Sequence, residues 1–375
     1  MDQATTARPS PPRGPGIAGG VALLLLGTFW LVTVFGTGAQ PAEPRLRLEL
    51  RLRRLFETNA PGIRTLALPT NVMLHAFGER RGSERVIVAR SRLQGPVLFL
   101  SDELDFERAQ PWTRPLYAKS VASIHARVAE LRARGVARIV LLPVPTKFAV
   151  LAQADPSVSA DACAAVSGKG AAAAEAPIAS CDGEATARAY RDLVSSFAGE
   201  PGVEVVALHD RFVAETRAGR TLYAFEDTHW TSYGQALAAR DALRAWGGAT
   251  PRDPVRAGTL PDQPGDLHRM LALPDRPSLR THPLADERYE LPAAAAPCPG
   301  AVFLLGSSYS RHADGLASQL QRGSGCAVVD LAEAGRDADA SFGPLYEKHG
   351  HALPGAVVVW EFPFRMLLFP GAFER

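Results

Sequence analysis

The sequence predicts an α/β fold, a mostly parallel sheet flanked by helices, on three observations. Short continuous apolar runs recur at Ile139-Val140-Leu141-Leu142, Val203-Glu204-Val205-Val206-Ala207-Leu208, Ala301-Val302-Phe303-Leu304-Leu305 and Ala356-Val357-Val358-Val359-Trp360-Glu361-Phe362. Runs that do not alternate suit strands buried on both faces. Segments of helical period separate them, at 117–134, 184–198, 234–246 and 312–320. Each strand then ends on a break, such as Pro143-Val144-Pro145-Thr146-Lys147, His209-Asp210 or Gly306-Ser307-Ser308. In this architecture the loops at the carboxyl ends of the strands carry the site.

Taken in order, residues 1–16 form a polar, proline-rich tail, and no charged residue appears between Arg13 and Glu43. Within that gap, 17–38 is apolar on every face, including Val21-Ala22-Leu23-Leu24-Leu25-Leu26. About 20 such residues span a bilayer as a helix, so a transmembrane anchor in the lipid bilayer is expected there. Small residues at Gly36-Thr37-Gly38-Ala39-Gln40 leave a cleaved signal peptide as the alternative. Arginines lie on both sides of the span, and charge alone leaves the orientation open.

Residues 39–80 read as a juxtamembrane segment and 81–375 as the folded domain. The alternation of arginine and leucine over 45–53 suits a strand with one wet face or a charged helix. Val86-Ile87-Val88 and Val97-Leu98-Phe99-Leu100 read as short buried strands. In 117–134, Val121, Ile124, Val128 and Leu131 share a helical face, and Gly135 ends it. The stretch 152–182, rich in alanine, serine and glycine, reads as a surface excursion that a Cys163–Cys181 bridge would staple. Residues 249–297 read as a long irregular connection, of a kind usually functional or mobile. Cys326-Ala327-Val328-Val329-Asp330-Leu331 is a further strand.

Composition narrows the function. With 375 residues, 46% hydrophobic and 21% charged, the chain is ordinary for a globular protein. A formal net charge of +2 gives no case for nucleic-acid binding. The four cysteines, Cys163, Cys181, Cys298 and Cys326, have no CxxC spacing, which argues against a structural zinc or thioredoxin-like motif. They allow three disulfide pairings, and four buried thiols remain the alternative.

Two stretches carry chemistry. In Asp227-Thr228-His229-Trp230-Thr231, extended backbone would put Asp227 and His229 on one side, where the carboxylate can hold imidazole Nδ1. In Gly306-Ser307-Ser308-Tyr309-Ser310, a serine between a strand and a helix can expose its Oγ beside backbone N–H groups. A serine hydroxyl needs such a base, and the base needs an orienting acid. Ser307 and Ser310 compete with Ser308. Each stretch alone also has a plain structural reading, as a turn and as a helix cap. No third ligand stands at a recognisable spacing for a metal.

The two stretches in this order resemble the SGNH hydrolase-like acetyltransferases of bacterial exopolysaccharide machines, of which the alginate O-acetylation proteins are the familiar members. Pro145-Thr146-Lys147, Gly265-Asp266-Leu267, Trp360-Glu361-Phe362-Pro363 and Arg365 resemble the same pattern, which spans roughly 80–370. The resemblance implies an SGNH-like (flavodoxin-like) sheet with circularly permuted motif order, the serine coming after the Asp-x-His. It implies catalytic Ser308, His229 and Asp227. It offers Tyr309, Arg365, Trp230, Ser310 and Lys147 as candidates for substrate binding or oxyanion support, with Trp360 and Tyr223 as further sugar-stacking candidates. No bound cofactor or metal is expected.

The resemblance further implies a single-pass protein of the bacterial inner membrane with its catalytic domain in the periplasm. Its acetyl donor would be delivered by a membrane-bound O-acyltransferase-type partner, and its substrate would be a polysaccharide. That compartment is oxidising, which favours Cys163–Cys181 and Cys298–Cys326 bridges. The expected function is O-acetyl transfer through a serine acyl-enzyme. A polysaccharide acetylesterase with the same triad and a non-catalytic binding or scaffold subunit are the alternatives.

Overall fold

The computed structural model describes residues 86–107, 113–167, 181–247, 252–261, 263–271, 287–294, 298, 300–369 and 372–373, all within the compact unit Ala60–Arg375. The expected anchor at 17–38, the segment 39–80 and the alternating stretch 45–53 lie outside the described residues. Among the described residues no helix is long and apolar enough to cross a membrane.

The chain opens with an antiparallel pair, β1 (Val86–Ser91) and β2 (Gly95–Leu100). Helix α1 (Thr113–Ala133) leads into β3 (Arg138–Val144), followed by α2 (Lys147–Ala154), α3 (Pro156–Ser167) and α4 (Glu184–Ser196). Next come β4 (Val203–Val205), α5 (Leu208–Arg217) and α6 (Ser232–Trp246). The segment after α6 holds β5 (Val255–Thr259), α7 (Asp266–Met270) and β6 (Glu287–Glu290). Then follow β7 (Val302–Leu305), α8 (Ser308–Arg311), α9 (Leu316–Ser324), β8 (Val328–Asp330), α10 (Phe342–His349) and β9 (Val357–Pro363).

The central sheet has five strands in the order β4-β3-β9-β7-β8, every neighbouring pair parallel. Counted cyclically from β7, these strands take the order 2-1-3-4-5 of flavodoxin-like sheets. The chain therefore has that topology with its start moved, as the resemblance implied. The strand that leads into Ser308 is first in the cycle, although it comes late in the chain.

Side chains of β9 alternate between two cores. Val357 and Val359 join Val140, Leu142, Val302 and Leu304 under Phe212 of α5, Leu237 of α6 and Leu320 of α9. Val358, Trp360 and Phe362 face the other way, with Ile139, Leu141 and Phe303 under Ile124 of α1, Leu193 of α4 and Phe342 of α10. Burial on both faces explains why these strands read as unbroken apolar runs.

Three expectations change in detail. The β4 strand stops at Val205, and His209-Asp210 belong to α5 rather than to a strand end. The stretch 152–182 is not all surface excursion. Helix α3 buries Val158 and Ala162 against Ile87, Ala89, Val97 and Phe99 in a satellite core. The connection 249–297 is not wholly irregular, since it contains the antiparallel β5–β6 pair and α7. Both expected bridges are present. Cys163–Cys181 spans 5.7 Å between Cα atoms, and Cys298–Cys326 spans 5.5 Å across the segment that contains Ser308.

Candidate active site

The site lies at the carboxyl ends of β7 and β9, where the strand order reverses and crevices form in such sheets. Strand β7 ends at Leu305, and the chain turns through Gly306 and Ser307 into α8. Gly306 is required by close approach, because a Cβ there would collide with Ser310 and Glu361. Ser307 caps the helix, its Oγ accepting from Tyr309 N.

Beneath the turn, Glu361 of β9 is fully buried and accepts from four groups. These are Ser307 N at 2.8 Å, Ser307 Oγ at 3.0 Å, Ser310 N at 3.2 Å and Ser310 Oγ at 2.8 Å. Burial pushes the Glu361 carboxyl up, and the Ser307 and Ser310 donors oppose that shift. Two of the three serines are thus spent on one carboxylate. Ser308, half-buried, is the one that faces His229.

The candidate base, His229, sits on a second loop. Tyr223 and Trp230 form an antiparallel bridge, and Ala224 N donates to His229 O at 3.1 Å, which pinches residues 224–229 into a loop. Lys147, at the start of α2, fills its interior. The ammonium donates to Ala224 O at 2.6 Å, Phe225 O at 3.0 Å and Asp227 O at 3.0 Å, and to Leu98 O of β2 at 2.7 Å. Burial lowers its pKa to about 8.

Asp227 and His229 do share a side, though not on an extended strand as expected. The backbone bends there, and Asp227 Oδ1 turns back to accept from both His229 N at 2.9 Å and His229 Nδ1 at 2.5 Å. A carboxylate only accepts, so Nδ1 carries the imidazole proton and Nε2 is free to accept. His229 Nε2 stands 2.8 Å from Ser308 Oγ. Burial pushes Asp227 up, but the hydrogen bond and charge of His229 outweigh it and hold the carboxyl well below the usual range.

The five further candidates lie under this line rather than in the open. Trp230 is fully buried and donates its indole N–H to Tyr309 O at 2.9 Å. Tyr309 is buried against His229 and Trp230 and donates its hydroxyl to Thr228 O at 2.6 Å. Arg365 donates to the Tyr309 hydroxyl at 2.5 Å. Ser310 is held by Glu361 and Lys147 by its four carbonyls. Trp360 and Tyr223 are core residues in the same sense. None of these seven lines the cleft beside His229.

That cleft encloses about 590 Å³, and its walls include Arg220, Tyr233, Arg269, Tyr289, Arg311 and His312. The tyrosine rings of Tyr233 and Tyr289 meet edge to face at 4.9 Å, with the Arg220 guanidinium over Tyr233. His312 stacks on His229 with ring centres 4.8 Å apart and planes 9° from parallel. Burial lowers its pKa to about 4, so it covers His229 as a neutral ring.

Sequence reasoning assigned no role to His312, Glu361 or Asp266. Glu361 and Asp266 stood inside quoted motifs, whereas nothing local marks His312. Asp266, first residue of α7, donates its N–H to Asp227 Oδ2 at 2.9 Å, while its carboxylate accepts from Thr228 N at 2.7 Å and Thr228 Oγ1 at 2.6 Å. Burial and the charge of Asp227 both push Asp266 up. Asp227, His229 and His312 lie close enough to share an ion, with donor atoms within 4.8 Å of one another. Both nitrogens of His229 are already engaged by Asp227 and Ser308, which favours proton transfer over metal binding.

The family model for the SGNH hydrolase-like domain of the acetyltransferase AlgX matches residues 98–364, with both stretches inside it. The chain belongs to that family. Its fold is similar to the O-acetyltransferase domain of Pseudomonas putida AlgJ, with 23% identity and a TM-score of 0.53 over 76% of this chain and 93% of that one. Pseudomonas aeruginosa AlgX is similar at 16% identity and a TM-score of 0.50, over 76% of this chain and 64% of that one. The matched region therefore spans less than two thirds of the AlgX structure. No curated protein sequence matches the chain. For this AlgX-family chain, likeness at such identities carries the fold, and the chemistry rests on the side chains described above.

Proposed function

We propose that this protein is an O-acetyltransferase that moves an acetyl group through a Ser308 acyl-enzyme to hydroxyls of a secreted polysaccharide. The observation that carries the proposal is the line Ser308 Oγ, His229 Nε2, His229 Nδ1 and Asp227, closed by hydrogen bonds of 2.8 Å and 2.5 Å. Membership of an acetyltransferase family supports the choice of acyl group.

In the first half-reaction His229 takes the proton of Ser308 as Oγ bonds to the acetyl carbonyl carbon. The donor's leaving group departs with that proton, and the acetyl ester of Ser308 remains. In the second half a sugar hydroxyl attacks the ester, gives its proton to His229, and Ser308 recovers it on leaving. Asp227 stabilises the imidazolium formed each time. The carbonyl oxygen needs a donor as its charge grows. Ser307 Oγ takes the Tyr309 N–H, and Glu361 takes those of Ser307 and Ser310. Among the described residues none takes the Ser308 N–H, which stands at the first helical position and can serve the oxyanion.

The reading extends to location and partners. Two disulfides suit an oxidising compartment, which supports a catalytic domain on the periplasmic side of an inner-membrane anchor at 17–38. An acetyl donor from the cytoplasm would then reach Ser308 through a membrane-bound O-acyltransferase-type partner. The test is to incubate the folded domain with an activated acetyl ester, with and without oligosaccharide. Acetylated sugar is the expected product. Free acetate alone, unchanged by added sugar, would make the protein an esterase.

A further inference from the structure

The base is flanked by two carboxylates, of which the acyl-transfer scheme uses one. Asp227 holds His229 Nδ1 directly. Asp266 comes from a different part of the chain, yet its Oδ2 stands 3.7 Å from the same nitrogen. Its side chain is 22% exposed, against 9% for Asp227 and 14% for His229. It is absent from the cleft wall, although its neighbours Gly265 and Arg269 stand there.

Nothing about this placement is loose. Gly265 lies so close to Glu226 O that any Cβ would collide with it. Leu267 N and His268 N donate to that same carbonyl at 3.1 and 3.2 Å. The start of α7 is thereby fastened to the residue before Asp227. From that anchor the Asp266 N–H reaches Asp227 Oδ2, and its carboxylate takes both donors of Thr228, the residue between Asp227 and His229. One residue thus fixes the outer oxygen of the orienting acid and the backbone of the catalytic loop.

We infer that Asp266 is a positioning residue for the acyl-transfer reaction, locking Asp227 and Thr228 and setting a second negative charge beside His229 to favour its protonation. The inference rests on the acyl-transfer reading above. When His229 accepts the serine proton, the imidazolium forms between two carboxylates rather than beside one. The charge acts on the proton transfer and not on the sugar, so its loss falls on kcat.

Asp266→Asn tests this, because the amide oxygen still accepts from Thr228 N and the backbone N–H to Asp227 is untouched. The readouts are the burst of acyl-enzyme from an activated acetyl ester, kcat and KM for the acceptor, and thermal unfolding. The expected result is a kcat and burst rate lowered about tenfold or more, with KM unchanged. A second arm places the same change in Asp227→Asn. Because both acids act through His229, the two losses should not multiply. Wild-type kcat in Asp266→Asn, a loss confined to KM, or strictly multiplicative losses would each overturn the inference. If Asp266→Asn does not fold, Asp266→Ser, also neutral and able to accept, is read in the same way. Wild-type protein that forms no acyl-enzyme would defeat the acyl-transfer reading instead, so the two failures are distinct.

Discussion

At the scale of single residues, polar groups around the site are held by more partners than their chemistry needs. Glu361 is the clearest case. Its Oε2 alone takes both backbone N–H groups, of Ser307 and Ser310, and truncating the side chain leaves them without that acceptor. Glu361→Ala should cost about 2–4 kcal/mol in denaturant unfolding and lower kcat, because buried donors at the Ser308 turn lose their acceptor. Retained stability and rate would show that the turn holds itself.

Lys147 permits a signed pH test. Its pKa falls to about 8 from an ordinary value of 10.5, so between those limits the unfolded chain binds the proton and the native one sheds it. Stability attributable to this residue therefore rises with pH from about 8 to about 10 rather than falling. Measured unfolding free energies of wild type and Lys147→Met should diverge in that window, the wild type gaining. Parallel curves would contradict the assignment.

The residue scale also separates what was legible from what was not. Asp227, His229 and Ser308 were legible as candidates because a carboxylate, an imidazole and a serine stand in short local patterns, and the fold brings the three side chains into one line. The resemblance offers Tyr309, Trp230 and Ser310, which lie within or beside those patterns, for substrate binding or oxyanion support. Adjacent residues in a bend or a helix's first turn point in different directions, and these three point into the core. Their positioning role depends on partners more than 50 residues away, such as Trp230 with Tyr309 and Tyr309 with Arg365 only across the fold.

At the scale of elements, the strands showed themselves because both faces of the sheet are covered. The antiparallel β5–β6 pair did not, since β5 is exposed along its whole length and has no apolar run. Helix α3 was hidden by an alanine- and serine-rich composition, and only the few contacts of Val158 and Ala162 reveal it. It sits in a satellite core closed by the Cys163–Cys181 bridge. Replacing both cysteines with serine should lower stability by about 3 kcal/mol at most and loosen α3 first. Acetyl transfer should persist, because α3 contributes nothing to the Ser308–His229–Asp227 line. Hydrogen exchange resolved by segment checks the order. Opening that begins in β7 or β9 would contradict it.

For the whole molecule, the moved chain start explains why the proposed nucleophile comes last of the three site residues. The sheet keeps its doubly wound order, and the site keeps its place where that order reverses between β7 and β9. Two segments far apart in sequence meet there only because the sheet sets β7 beside β9, with β3 on the other side of β9. No local pattern could state that meeting, whereas chain order combined with family likeness could. Under the proposed periplasmic placement, protein recovered from its source cells should carry both bridges, and its intact mass under non-reducing conditions should fall by the hydrogens they release. Four free thiols in such a preparation would count against the periplasmic placement.

The most direct measurement is peptide mapping by mass spectrometry after brief exposure to an activated acetyl ester. A single acetyl group should appear on Ser308, leave when oligosaccharide is added, and reappear on the sugar. It should be absent from Ser308→Ala and His229→Ala. Acetylation that spares Ser308, or that persists equally in Ser308→Ala, would contradict acyl transfer through this serine.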